Sequence, residues 1–219
     1  MKAVVFDMDG VIFDSERLVI SCWQQVANKY GIPNIEAACM ECLGINAKLT
    51  KELFCRRYGA DFPYDAYKKE MSTLFHEEVA GGRLPVKEGV FALLQYLKER
   101  GVKVALASST RREVVVRELK DGGLLPYFEQ VIAGDMVAKS KPEPDIFLTA
   151  CKSLGVEPEA AFAIEDSYNG IRAAHSAEMK PIMVPDLIGP TAEIEGLCYK
   201  VMGSLAEVKE YFIKDEIFV

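Results

Sequence analysis

The chain has 219 residues, half of them hydrophobic, with a formal net charge of −7. That size accommodates one large α/β domain or a core carrying a smaller insertion, and that apolar share excludes wholesale disorder. The acid excess excludes a general nucleic-acid or anionic-membrane surface, so any phosphate chemistry needs a local positive site built against the protein's own field.

At the N-terminus, Lys2 and a short apolar run ending at Asp7 are too brief for a signal-peptide core. No stretch approaches the roughly 20 apolar residues of a membrane span. Val4, Val5 and Phe6 predict a buried strand, since β-branched and aromatic side chains suit a covered, pleated surface. The strand stops on Asp7-Met8-Asp9-Gly10. Two carboxylates one residue apart repel each other and resist dehydration, so something has to compensate them. Asp14 and Ser15 then read as the N-cap of a helix.

Residues 15–80 carry no strand pattern. Val19, Trp23, Val26, Ala27 and Tyr30 mark one helix, Leu49, Leu53 and Phe54 a second, and Tyr67, Met71, Leu74 and Phe75 a third. Residues 15–81 are therefore expected to form a helical insertion, with Gly81-Gly82 as the return hinge and residues 1–14 and 82–219 as the core. Insertion after the first strand places it above the carboxyl ends of the strands, where open α/β sheets bind ligands. The pair Cys39-x-x-Cys42 has neither a second such pair nor a nearby histidine. Reduced thiols in a cytoplasmic protein are the expectation for all six cysteines.

From Val86 onward helix and strand alternate. Val90, Leu93, Leu94 and Leu97 predict a helix over 88–100, stopped by Gly101. A strand follows at 102–107, and Thr110 with Glu113 forms a T-x-x-E capping box for the next helix. Strands are predicted at 130–134, 160–166, 180–185 and 199–201. Helices are predicted after Pro142, with Phe147, Ala150, Cys151 and Leu154 on one face, over 168–177 and over 204–213. Repeated units of this length imply an α/β fold: a Rossmann-like parallel sheet with right-handed crossovers and helices on both faces.

The ends of the predicted strands carry the chemistry. The first ends in Asp7 and Asp9, the second in Ser108, Ser109 and Thr110, and the "AFAI" strand in Glu165 and Asp166. Lys139 and Lys141 occupy the loop after the third. In a parallel sheet these ends share one edge. Carboxylates suit a hard divalent cation, and Mg²⁺ takes one or two of them beside substrate phosphate oxygens. A hydroxyl, a lysine and the N–H groups of a helix start suit phosphate. An aspartate can attack phosphorus, and a second one can protonate the leaving oxygen and later activate water.

In order, "DMDGVIFDSE", "ALASST", "KSKPEPDIF" and "IEDSYNGIRAA" resemble the four motifs of the haloacid-dehalogenase-like superfamily. The resemblance is nearest to its sugar-phosphate phosphatase and β-phosphoglucomutase-like branch, whose helical cap the insertion resembles. It implies that Asp7 is the nucleophile and a Mg²⁺ ligand. Asp9 is then the general acid/base, with its backbone carbonyl on the metal. Ser108 and Lys141, with Ser109, hold the transferring phosphoryl group, and Asp166 with Glu165 completes the metal site. Lys141, just before Pro142, matches the motif; Lys139 does not.

The mutases of that branch carry a cap histidine where this chain has Val19. They also have a Gly-x-Ser-Arg loop where it has "GINAK", giving Ala47 and then Lys48. Both departures favour a phosphatase over a mutase. Ser15, Val19 and Lys48 are the cap positions expected to bear on specificity. A receiver-type signalling switch shares the acid, hydroxyl and lysine set but is about half this length and has no cap. An EF-hand loop fails because "DMDGVIFDSERL" places Gly fourth and Leu twelfth. The expectation is a monomeric, cytoplasmic, Mg²⁺-dependent phosphatase of a small phosphorylated metabolite, with no nucleic-acid or membrane partner.

Overall fold

A computed structural model describes residues 1–43 and 47–218. Gly44, Ile45 and Asn46 of the mutase-loop comparison, and the Ala47 side chain, lie outside the described residues. The chain divides into two compact units, Met1–Phe13 with Pro85–Val219, and Asp14–Leu84.

The larger unit is built on one sheet of six strands, β1 (Ala3–Phe6), β2 (Lys103–Ser108), β3 (Gln130–Ala133), β4 (Ala161–Glu165), β5 (Lys180–Met183) and β6 (Lys200–Val201). The spatial order is β3-β2-β1-β4-β5-β6, and every pairing is parallel. β1 lies at the centre, with Val4 beside Val104 on one side and Phe162 on the other. Both β1 and β4 are buried throughout, as unbroken apolar runs require when helices cover both sheet faces. The strand order reverses at β1, so a crevice opens beyond its carboxyl end.

In chain order the helices are α1 (Ser15–Tyr30), α2 (Ile35–Glu41), α3 (Ala47–Tyr58), α4 (Tyr64–Val79), α5 (Val90–Glu99), α6 (Arg112–Asp121), α7 (Asp145–Leu154), α8 (Tyr168–Ser176), α9 (Ala192–Leu197) and α10 (Leu205–Lys214). On one sheet face, Phe147, Ala150 and Cys151 of α7 and Ala173 and Ala174 of α8 pack against Val5, Ala105 and Ala163. Strand alternation turns Phe162 to the opposite face, where its ring lies 5.1 Å from that of Phe212 on α10. In the smaller unit, α1 to α4 enclose their own core around Cys22, Trp23, Val26, Phe54, Tyr64 and Met71. Trp23 and Phe54 stand 4.9 Å apart between ring centroids. No helix among the described residues is long and apolar enough to cross a membrane.

Most predicted boundaries differ from the observed ones by a residue or two at frayed ends. Three differences have specific causes. The helix expected near Pro142 starts at Asp145, because Pro144 occupies its N-cap position. Asp14 does stand at the N-cap of α1, but its backbone (φ −81°, ψ 61°) is outside the extended region that aims a capping side chain. Its carboxylate instead takes a hydrogen bond from Arg17 at 3.0 Å. The Thr110–Glu113 capping box does not form: α6 begins at Arg112, whose N–H is capped from another loop by Asp135 Oδ1 at 2.9 Å.

Candidate active site

Three strand ends and one loop meet at the crevice. Asp7 follows β1 directly, and its N–H donates to the Ile164 carbonyl of β4 at 2.9 Å, so the sheet ladder fixes it one residue past the strand. Glu165 is the last residue of β4, Asp166 follows it, and Ser108 ends β2. Lys141 arrives from the loop between β3 and α7, where its peptide bond to Pro142 is cis. Its ammonium donates to Asp7 Oδ1 at 2.5 Å, Glu165 Oε1 at 2.6 Å and the Ala107 carbonyl at 3.0 Å. Three N–H donors thus meet three acceptors. The ring centroid of Phe147 lies 5.0 Å from the ammonium.

The second oxygen of Glu165 accepts from the N–H groups of Asp166 and Ser167 and from the Ser167 hydroxyl, at 3.1, 3.0 and 2.9 Å. Ser167 is also the N-cap of α8, accepting from the Gly170 N–H at 3.1 Å. Glu165 is fully buried and is tied at once to Lys141 and to a helix start. Gly10 makes room for Asp166. It has φ +76°, and a Cβ there would stand 2.1 Å from Asp166 Oδ2.

Asp7, Glu165 and Asp166 each offer an oxygen, all within 4.8 Å of one another. Burial pushes the Asp7 carboxyl well above the usual range. Lys141 pulls it down, while Glu165 and Asp9 push it up again. Burial alone would lower Lys141, but Asp7 and Glu165 outweigh it and hold the lysine above its ordinary value, so it stays an ammonium. One cation shared by these carboxylates leaves an excess of negative charge. An all-oxygen donor set of three carboxyl groups fits a hard divalent cation.

The Asp9 carboxylate stands outside that triplet, and its Oδ2 accepts from the Thr110 hydroxyl at 3.1 Å. Ser108 is completely buried, and its Oγ accepts from the Thr110 N–H at 3.1 Å. Ser109 beside it is exposed. Lys139 is exposed too and pairs with Glu143 at 3.5 Å, away from the carboxylates that hold Lys141. Ser15, Val19 and Lys48 belong to the helical unit, where Ser15 is buried, Val19 packs on that unit's core and Lys48 is exposed. Sequence reasoning missed the Ala107 carbonyl, which no side chain announces. It also missed Ser167, whose place just before α8 marks an N-cap, and it misassigned the Thr110 hydroxyl.

The sequence model of the haloacid dehalogenase-like hydrolases matches residues 4–184. A relative from Thermotoga maritima named phosphorylated carbohydrates phosphatase is 33% identical over 83% of this chain and 84% of its own length. One from Bacillus subtilis named beta-phosphoglucomutase is 31% identical over 86% and 88%. Among solved structures, a haloacid dehalogenase family hydrolase from Deinococcus radiodurans, with bound phosphate and sodium, superposes with a TM-score of 0.83. It has 26% identity and covers 100% of this chain and 98% of the other. With its motifs at the ends of β1, β2 and β4 and in the loop after β3, the chain belongs to the haloacid dehalogenase-like hydrolase family.

Proposed function

We propose that this protein is a Mg²⁺-dependent phosphatase of small phosphate esters, with sugar phosphates as the preferred class, working through an aspartyl-phosphate on Asp7. The observation that carries this reading is the Asp7–Lys141–Glu165 arrangement beside Asp166, at the reversal point of a parallel sheet. The substrate class is supported by the relative named for phosphorylated carbohydrates. The protein is read as a cytoplasmic monomer.

Asp7 and Asp166, with Glu165 in reach, would hold Mg²⁺, and the Asp9 backbone carbonyl would add a further ligand. When bound, the ion supplies positive charge beside the phosphoryl oxygens. Asp7 attacks phosphorus while Lys141 and the Ser108 hydroxyl hold the phosphoryl oxygens, with Ser109 at the same turn. Lys141 does this by exchanging one of its three present acceptors for a phosphoryl oxygen while it keeps its hold on Asp7, so attacking oxygen and phosphoryl group are positioned by one residue. Asp9 protonates the departing ester oxygen and then takes a proton from the attacking water. Glu165 keeps Lys141 in place.

The test is phosphate release from a panel of phosphorylated metabolites with Mg²⁺, then with EDTA. Mg²⁺-dependent release that is abolished in D7N is expected. Release that persists in EDTA or in D7N overturns the reading. A mutase is the second reading, favoured by the relative named beta-phosphoglucomutase. Against it stand Val19 in the place of the cap histidine and Ala47 in the place of the loop arginine; Ser15, Val19 and Lys48 are assigned to selecting the ester. Conversion of β-glucose 1-phosphate to the 6-phosphate, primed by the bisphosphate, would decide for the mutase.

A further inference from the structure

We propose that Thr110 is the positioning residue for Asp9, tying the acid/base to the turn that receives the phosphoryl group. The proposal rests on the reading of Asp9 as acid/base given above. Thr110 sits where a sequence pattern predicts a helix cap, yet its hydroxyl crosses to another strand end and donates to Asp9 Oδ2 at 3.1 Å. The cap it leaves vacant is supplied by Asp135.

Thr110 is itself held on both sides. Its N–H donates to Ser108 Oγ at 3.1 Å, and its carbonyl accepts from the Gly134 N–H at 3.0 Å. Gly134 approaches so closely that a Cβ there would lie 2.2 Å from the Ser109 carbonyl oxygen. The ends of β2 and β3 therefore clamp the turn, and the turn aims one hydroxyl at Asp9. A threonine has a single O–H, and β-branching restricts its χ1 choices. With Oδ2 held by the Thr110 hydroxyl, the rotation of the Asp9 carboxylate is restricted.

Proton accounting shows what this positioning affects. An Asp7 oxygen bonds to phosphorus, the bond from phosphorus to the ester oxygen breaks, and that oxygen takes the Asp9 proton. Water oxygen then bonds to phosphorus, its proton returns to Asp9, and the bond from phosphorus to Asp7 breaks to restore the carboxylate. A weakly basic leaving group such as p-nitrophenolate departs without the first proton, which Asp9 then loses to solvent before it acts as the base. The second step needs Asp9 whatever the ester.

T110V is isosteric and removes only the hydroxyl; T110S restores it. With phenyl phosphate, whose leaving oxygen is more basic, T110V is expected to lower kcat by roughly 10- to 100-fold, part of what general acid–base catalysis contributes. With p-nitrophenyl phosphate in stopped flow, T110V should give a stoichiometric burst of nitrophenolate at the wild-type rate and then a slow steady phase. T110S should resemble the wild type with both esters. Unchanged kinetics in T110V overturn the proposal. So does a reduced burst amplitude with equal losses on both esters, which marks a structural role only. D7N separates the two levels: if it turns over either ester, the aspartyl-phosphate reading falls and this proposal with it.

Discussion

Replacing Glu118 with glutamine should stabilise the fold above neutrality and leave it unchanged in acid. Glu118 faces inward from α6 with Val115 and Leu119 and is only 7% exposed. Its ion-pair partner, Arg117, is 3.9 Å away and largely exposed. Asp9 and Asp121 add like charge. Burial first, then Asp9, push the Glu118 carboxyl from 4.5 up to about 7. A carboxyl with a raised pKa favours the folded state only while protonated. Its contribution is therefore complete below about pH 4.5 and is lost as the pH climbs to about 7. The displacement amounts to roughly 3 kcal/mol, and the exposed Arg117 pair returns little of it. Urea unfolding of the wild type and E118Q across this range measures the difference directly. E118Q is expected to be more stable by roughly 2–3 kcal/mol at about pH 8 and to converge with the wild type near about pH 4. A difference that does not vary with pH, or a less stable E118Q at the alkaline end, would refute the reasoning.

Gly10→Ala puts a methyl group against Asp166 in a left-handed backbone position, and turnover should fall by roughly 100-fold. Calorimetric titration with Mn²⁺ should show weakened binding in the same variant. Lys87 Nζ lies 2.6 Å from Asp186 Oδ1, whose side chain is almost wholly buried. K87M should therefore lower the unfolding free energy by roughly 3 kcal/mol, read by urea denaturation, with K87M/D186N recovering part of the loss. K141M strips the ammonium from Asp7 and Glu165, and phosphate release should vanish while the circular dichroism spectrum keeps its α/β form.

The sheet could be read from the sequence because its central strands, β1, β2 and β4, are short apolar runs ending at polar motifs. That pattern also brought Asp7, Lys141, Glu165 and Asp166 to one edge. Contacts that depend on the approach of distant backbones could not be read. Thr110 with Glu113 satisfies a local capping pattern, and only the fold reveals that Asp135 supplies the cap and Asp9 takes the hydroxyl. Glu118 breaks the apolar face of α6 without any local sign that Asp9 lies near it. The two lysines in "AKSKPEPD" are alike as residues, and the acceptors that capture Lys141 come from three other segments.

The central claim is that Asp7 carries the phosphoryl group. The most direct measurement is borohydride trapping of the enzyme quenched during turnover of p-nitrophenyl phosphate with Mg²⁺, followed by peptide mass spectrometry. Asp7 reduced to homoserine in the wild type, and no reduced residue in D7N, is the predicted result. Steady turnover with Asp7 unmodified, or reduction at another carboxylate, would contradict it.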